Sequence, residues 1–328
     1  MTCSSITRRR FVQTIPAVAG ALSLTSAAAQ KKSLVVEVHR PGITQENNRP
    51  DPAGVQEMLD RAMQEFTGEK SRKDQWARCV SKDDVVGLKV NGLGGPRLST
   101  KTELIYAIIK RLVEFGVKEN NIIVWDDRIR CMQAVGMDVN FGDAGVRVYT
   151  TDNPKIGWEE KETHFGSASA NISKIMAQQI TALINLPIMK DHRYSGVTLS
   201  LKNISHGITN RSGRFHGNNC CPYIAEINAA PVVKKKYRLT ILDAFQGCYD
   251  KGPMYAPSGL INYDSLYIAA DRSALDTIGA ARIEKARKEN GLLPVAEVGR
   301  PAKFIAEAAE LGVGTNNLEQ IEHRVIEA

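Results

Sequence analysis

One segment near the middle of the chain concentrates side chains that could do chemistry. Lys190, His192, Lys202 and His206 stand there among apolar or small residues, and His216 follows shortly after. A desolvated lysine or histidine needs a partner. Lysines suit a carboxylate or phosphate, and a histidine can move a proton near neutral pH. The segment therefore predicts a site for a small anionic molecule, although a surface loop with solvated lysines and capping histidines is the alternative.

Particular roles follow from this pattern. We expect His192 and His206 to transfer protons, while Lys190 and Lys202 hold the anion. Lys202 and His206 are four residues apart and would share one face of a helix beginning near Val197. The other residues assigned to the site are polar groups at or near predicted strand ends or next to Lys202, namely Lys89, Asn91, Asn203 and Asp271 for substrate binding and Asp243 for catalysis.

Metal binding is a separate hypothesis, because imidazole and thiolate groups occur close together. His192, His216 and Cys220 are the expected ligands, of the kind that zinc and similar metals prefer. Their spacing matches no standard site, so the vicinal Cys220 and Cys221 could instead be a redox pair or two small buried residues. The sequence contains neither a C-x-x-C nor a ferredoxin-like cysteine run, which excludes a locally spaced iron–sulfur cluster.

Two further features leave alternatives open. The glycine-rich loop 91–96 joins a predicted strand to a helix, where backbone N–H groups could approach an anion, or where the chain simply makes a tight turn. It is neither a Walker loop nor a complete G-x-G-x-x-G motif. The strand-end aspartates could act as acids or metal ligands, or could cap the following helices; they are Asp126, Asp127, Asp243 and Asp271.

The elements that must position these residues alternate between short apolar strands and helical periodicities. This pattern predicts an α/β fold with a mostly parallel, doubly wound sheet flanked by helices. Ligands of such sheets bind outside the carboxyl ends of the strands. The residues 207–219 are expected to form a long loop, and Thr100 with Glu103 to form a capping box. The predicted strands are 34–38, 85–90, 122–125, 146–149, 182–186, 239–242 and 266–270, and the helices 52–66, 100–115 and 273–288.

The N-terminus predicts export. Arg8, Arg9 and Arg10 precede an apolar stretch that is too short to span a bilayer, and 27–29 is an alanine cleavage signal. We expect a twin-arginine signal peptide over residues 1–29, handled by the twin-arginine translocase, and one α/β domain over 30–328. The mature protein would be periplasmic or extracellular, with no stable membrane span after cleavage.

Charge argues against a nucleic-acid partner. The net charge is +7 and falls to +4 once the three arginines of the signal are removed. Basic residues are mixed with acids, whereas nucleic-acid binding needs a clustered basic face.

Across nearly all of the mature chain, short motifs occur in an order that resembles the family called domain of unknown function 362. They are Lys89-Val90-Asn91, Ile184-Asn185-Leu186-Pro187 with Lys190 and His192, Leu201-Lys202-Asn203, His216, Leu242-Asp243-Ala244, Gly252-Pro253, Asp271 with Leu275-Asp276, and Gly312-Val313-Gly314. The resemblance implies an α/β fold and, in many bacterial members, a twin-arginine signal. Some members are joined to ferredoxin-type modules, which implies a redox partner, but this chain lacks such a module.

Two functions remain in view. The first is an enzyme, with oxidoreductase chemistry among the options, that acts on a small anionic molecule with a metal or redox cofactor. The second is a non-catalytic ligand-binding or electron-transfer accessory protein with the same pocket.

Overall fold

A ten-stranded mixed sheet with helices on both faces forms the centre of the molecule, which confirms the predicted α/β class. The computed structural model describes residues 32–46 and 48–328, so the predicted signal peptide lies outside the described residues. Residues Lys32–Ala328 form one compact unit. Within the described residues, no helix combines the length and the apolarity that a membrane crossing requires.

The strands follow the predicted apolar runs, with additions. They are β1 (Ser33–His39), β2 (Val86–Lys89), β3 (Ile122–Asp126), β4 (Arg147–Thr150), β5 (Thr163–His164), β6 (Ser169–Ala170), β7 (Ala182–Asn185), β8 (Ile188–His192), β9 (Gly196–Thr198), β10 (Tyr237–Cys248), β11 (Leu260–Ala269) and β12 (Ile321–Glu327). The large sheet has the order β12-β1-β11-β10-β7-β2-β3-β4, with β8 paired to β10 and β9. A separate pair is formed by β5 and β6.

The helices connect these strands. They are α1 (Pro52–Thr67), α2 (Arg72–Ala77), α3 (Thr102–Phe115), α4 (Ile129–Ala134), α5 (Ser200–Ile208), α6 (Tyr223–Ala229), α7 (Pro231–Lys236), α8 (Arg272–Glu289) and α9 (Phe304–Glu310). Short 3₁₀ segments cover Glu119–Asn121, Ser212–Cys220, Pro257–Gly259 and Leu318–Gln320, and a π-helical turn covers Ile175–Gln179.

Alternation along the strands builds an apolar layer on each face of the sheet. Val124 and Ile184 belong to the core shared with α1 and α3, whereas their neighbours Ile123 and Leu183 belong to the core that includes Ile204 of α5. Successive side chains of a strand point to opposite faces, so strands covered on both sides must be apolar throughout.

Strand direction decides which strand ends meet. β2, β3, β4, β7, β8 and β10 run parallel, so their carboxyl ends share one edge of the sheet. β11 runs antiparallel to both β10 and β1. The residue that follows β11 therefore lies at the opposite edge.

The predicted capping box at the start of α3 is wrong. The Thr100 hydroxyl accepts a hydrogen bond from the Asn91 N–H at 2.9 Å and donates one to the Leu186 carbonyl at 2.7 Å. The helix begins at Thr102, and its N-terminal Lys101 N–H donates instead to the Asp243 carboxylate at 2.6 Å. The Asp243 carboxylate of β10 thus takes the place of a local side-chain cap at the N-terminus of α3.

Two further boundaries differ from the predictions. α5 begins at Ser200 rather than near Val197, because Gly196–Thr198 pairs with β8 as a strand. The expected loop over 207–219 begins two residues later, because α5 continues to Ile208, and its second half contains short 3₁₀ turns within Ser212–Cys220 that are separated by non-helical backbone at Gly217–Asn219.

Candidate functional site

A cavity of about 210 Å³ opens where the parallel strands end. Its wall combines residues from β2, β3, β8 and α5 with the 3₁₀ segment that follows α5. Ten residues that the sequence singles out line it: Lys89, Asn91, Asp126, Asp127, Lys190, His192, Lys202, Asn203, His206 and His216. The sheet therefore brings together most of the scattered polar residues in one place.

Two lysines on this wall are buried and have no carboxylate partner among residues 32–46 and 48–328. Lys190 of β8 is fully buried, and its ammonium donates to the Asn91 side-chain oxygen at 2.7 Å. Lys202 of α5 is 4% exposed, and its Nζ lies 3.3 Å from His216 Nε2 and 3.8 Å from Cys220 Sγ. Burial lowers the pKa of each lysine to about 8. Both ammonium groups therefore lack the counter-ion that a buried charge normally requires.

Lys89 differs from these two because its charge is already balanced. Its Nζ lies 2.7 Å from Asp126 Oδ1 and also donates to the Val90 carbonyl at 2.7 Å. The other Asp126 oxygen accepts from the Gly92 N–H at 2.7 Å. This ion pair ties the end of β2 to the end of β3, so Lys89 shapes the wall more than it attracts a ligand.

A chain of amides orients Lys190. Asn91 accepts from Lys190 and donates to the Asn203 side-chain oxygen at 2.9 Å, and Asn203 donates to the Asn185 side chain at 2.8 Å. Asn185 then donates to the Ser200 carbonyl at 3.1 Å. The chain links β2, β7, β8 and α5 and fixes the position of the lysine ammonium.

His192 is a neutral hydrogen-bond donor. Its Nδ1 accepts the backbone N–H groups of Tyr194 at 3.1 Å and Ser195 at 3.3 Å, so the proton of the neutral ring lies on Nε2. Burial lowers the pKa of His192, and the nearby charge of Lys202 lowers it further. A neutral imidazole in this tautomer offers an N–H to a ligand, not a lone pair.

His206 and His216 have the opposite tautomer. His216 Nδ1 lies 3.0 Å from the Gly213 carbonyl, which can only accept, so its lone pair is on Nε2. His206 Nδ1 lies 3.1 Å from the hydroxyl of Ser205, which itself donates to the Lys202 carbonyl. The lone pair of His206 is then on Nε2, a buried atom with no hydrogen-bond partner among the described residues. Burial lowers the pKa of both rings.

The candidate metal group differs from the predicted ligands in one residue. The atoms that come within 4.8 Å of one another belong to His206, His216 and Cys220. His192 is not in this group, and His206 is there instead. The Nδ1 of His192 is in addition engaged by backbone N–H groups.

A second acidic group, Asp126, Asp127 and Cys131, also has ligand atoms within 4.8 Å. Asp126 is paired with Lys89, and Asp127 accepts from the Cys131 thiol at 3.4 Å and lies 3.2 Å from Arg128. Burial raises the pKa of the Asp127 carboxyl and of the Cys131 thiol. Both carboxylates are thus already paired with basic side chains of the protein, Lys89 and Arg128.

Asp243 and Asp271 do not line the cavity. β10 continues to Cys248, so Asp243 lies inside a strand and accepts from the Lys101 and Phe245 N–H groups. Asp271 follows the antiparallel β11 and caps α8 by accepting from the Ala274 N–H at 2.9 Å. Asp271 thus caps the following helix, as one of the alternatives predicted, whereas Asp243 caps no following helix and instead binds the N-terminus of the earlier helix α3.

The glycine-rich loop and the cysteines have local partners. The Gly92 N–H is engaged by Asp126 and the Gly95 N–H by the Gly92 carbonyl, which supports a tight turn over an anion cradle. The five cysteines of the described residues are free, and all but Cys79 are buried. Cys220 and Cys221 are therefore not joined to each other or to Cys248.

Sequence reasoning missed three parts of the site. Asn185, a polar residue at the end of an apolar strand, was a visible signal for the amide chain. Gly207 lets Lys89 pass, because a Cβ there would lie 2.1 Å from Lys89 Cε. Arg128 also lines the cavity, and its position directly after the strand-end residues Asp126 and Asp127 was a signal for this.

Fold and site together define an α/β protein with a basic, histidine-lined cavity at the carboxyl edge of its parallel strands. The chain belongs to the DUF362 family, a domain of unknown function, whose profile matches residues 86–281, more than half of the chain. No curated protein matches it. Its structure is similar to a crystal structure of a protein from Thermotoga maritima, with a TM-score of 0.39 and 11% identity over 74% of this chain. The match spans only 60% of that protein, and a likeness this weak supports no conclusion about function.

Proposed function

We propose that the protein is an enzyme that binds a small carboxylate or phosphate in the cavity and transfers a proton on it. The observation that carries the proposal is the pair of buried ammonium groups, Lys190 and Lys202, neither of which has a carboxylate partner in the part of the chain that the structure describes. A bound anion would supply the missing counter-charge. Because ligand pockets usually have volumes of about 300–1,000 Å³, the cavity suits a molecule with few non-hydrogen atoms.

The histidines supply complementary groups. His206 Nε2 has a lone pair without a partner, which suits a general base. His192 Nε2 bears a proton and can donate a hydrogen bond to developing negative charge, as neutral histidines do in other enzymes. An acceptor and a donor on one wall support proton transfer over passive binding.

Thermal stabilisation by malonate and by inorganic phosphate tests the anion site. At about a hundredfold excess over Kd, binding adds about 2.7 kcal/mol, or about 5 °C in Tm for a chain of this size. We expect Lys190→Met and Lys202→Met to lose this gain, since methionine keeps the length without the charge. Lys235→Met, at an exposed position of α7, is the matched control. Full stabilisation of both cavity variants would refute the proposal.

Turnover separates the enzyme from the accessory protein. We expect NMR screening of small carboxylates and phosphate esters to detect a compound that the parent protein consumes and that His206→Ala binds but does not consume. Anion binding that depends on both lysines, with no turnover of any compound, would instead identify a ligand-binding or electron-transfer accessory protein.

A further inference from the structure

We infer that His206, His216 and Cys220 form a site for a zinc-class divalent metal, and that the Lys202 ammonium competes with the metal for that position. The inference goes beyond the proposed function and does not depend on it. The metal-bound state is an alternative to the proton-transfer state, because a metal on His206 Nε2 would use the lone pair proposed for the general base and would displace Lys202 from the anion.

The two imidazoles are arranged as metal ligands. His216 is held by a hydrogen bond from Nδ1 to the Gly213 carbonyl, and His206 by one from Nδ1 to the Ser205 hydroxyl. Metal-binding histidines typically donate their second N–H to such an oxygen, which fixes the ring and the tautomer. Among the described residues the His206 Nε2 lone pair has no partner, and the His216 Nε2 lone pair is met only by the Lys202 ammonium at 3.3 Å.

The backbone before Cys220 provides an independent observation. Asn218, Asn219 and Cys220 have φ values of 48°, 54° and 68°, a run of three non-glycine residues in the left-handed region. Such conformations persist only where surrounding contacts require them, and they cluster at ligand sites. Here the turn places the buried Cys220 thiol 3.8 Å from Lys202 Nζ and within 4.8 Å of both histidine ligand atoms.

The donor set indicates the class of metal. Two imidazole nitrogens and one thiolate favour zinc and its chemical relatives over magnesium or calcium, which prefer oxygen ligands. Three protein ligands would leave a fourth position open, as in catalytic zinc sites.

Lys202 is the competing cation. Its Nζ lies 3.3 Å from His216 Nε2 and 3.8 Å from Cys220 Sγ, whereas a zinc ion would lie about 2.0–2.3 Å from the same atoms. Ammonium and metal cannot share this space, and their charges repel. A metal must therefore displace the lysine side chain.

Cobalt(II) titration of the metal-free full chain tests the site, because thiolate-bound cobalt has a strong near-ultraviolet charge-transfer band. We expect this band in the parent protein and its loss in His206→Ala, His216→Ala and Cys220→Ser. Cys248→Ser, at a buried cysteine of β10 outside the group, is the control and should keep it. An unchanged band in the His206 and Cys220 variants would overturn the site.

The Lys202→Met variant gives a prediction of opposite sign. Removing the competing charge should tighten cobalt binding by about tenfold, although the same variant loses anion stabilisation. Equal or weaker cobalt binding would overturn the claim that Lys202 competes with the metal.

If a ligand variant fails to fold, paramagnetically shifted N–H signals from two imidazoles in the cobalt-loaded parent test the site, and their absence refutes it. If the parent protein binds no anion, the proposed function is refuted but the metal site is not, because the cobalt measurement does not use the anion.

Discussion

The histidines of the cavity differ in what their second nitrogen contacts, and this decides their chemistry. His192 receives two backbone N–H groups on Nδ1, whereas His216 donates its Nδ1 proton to a carbonyl. The first ring can therefore only donate into the cavity and the second can only accept. Residue type alone predicts three interchangeable histidines, and the backbone around each one makes them different.

Lys190 should make anion binding dependent on pH. Burial lowers its pKa to about 8; Cys248, Asp126 and Cys131 raise the pKa, while Lys89 lowers it. As pH rises through about 8 the ammonium loses its charge, so we expect malonate affinity to fall between pH 7 and 10. Isothermal titration calorimetry of the parent and of Lys190→Gln measures this, since the variant should bind weakly with a flatter profile. A flat profile in the parent would remove Lys190 from the anion contact.

The same shift has a stability consequence in the ligand-free protein. Between about pH 8 and the ordinary lysine value of 10.5, the unfolded chain binds more protons at this position than the folded one. The contribution of Lys190 to the free energy of unfolding therefore rises with pH across that window, because the buried side chain loses its charge.

At the scale of elements, α5 crosses directly over the end of β2. Gly207 of α5 leaves room for the Lys89 side chain, which reaches Asp126 beneath it. A helix with any larger residue at this position would press on a buried ion pair. The close approach of helix and strand thus depends on one missing side chain.

Gly207→Ala should therefore destabilise the protein. The new Cβ would lie 2.1 Å from Lys89 Cε and 2.6 Å from Nζ, which forces the ammonium away from Asp126. Alanine is favoured over glycine within a helix by about 1 kcal/mol, but breaking a buried ion pair costs about 3–5 kcal/mol. We expect a net loss of about 2 kcal/mol or more in urea unfolding. The comparison is Gly279→Ala in α8, where the neighbour is a movable Leu199 methyl at 3.0 Å; equal effects at both positions would contradict the argument.

The sequence predicted the elements better than their directions. Short apolar runs located β2, β3, β7 and the core of β10, because a strand buried on both faces leaves a continuous signal. The polar residues Asp243 and Gln246 concealed the second half of β10. Nothing local reveals that β11 runs antiparallel, which is why Asp271 was assigned to the wrong edge of the sheet.

The candidate site was predictable to a similar depth. Lysines and histidines in apolar surroundings were visible in the sequence, and the structure brings Lys190, His192, Lys202 and His206 to one cavity. The pairing of Lys89 with Asp126 joins residues 37 positions apart and has no local signal. The histidine tautomers depend on neighbouring backbone N–H and C=O groups, whose positions are set by the fold and cannot be read from the sequence.

At the scale of the whole molecule, the cysteines bear on the predicted route of export. The five cysteines of the described residues are free, and four of them are buried. Thiols exposed in an unfolded chain form disulfides readily in an oxidising compartment, whereas a protein that folds before export carries its buried thiols inside the core. If the predicted twin-arginine route, which transports folded proteins, is used, we therefore expect these thiols to stay free.

Changing the export pathway tests whether folding before export protects the buried thiols. We expect Arg8→Lys combined with Arg9→Lys to leave the precursor inside the cell, as judged by fractionation and immunoblotting, because the pathway requires the paired arginines.

When the first 29 residues are exchanged for a signal that directs unfolded export, the product should contain fewer free thiols per chain than the parent. Maleimide labelling of the denatured proteins counts them, and five are expected in the parent after cleavage of the segment that contains Cys3. Equal thiol counts by both routes would show that folding before export does not protect the cysteines, and secretion of the double arginine variant would refute the twin-arginine signal itself.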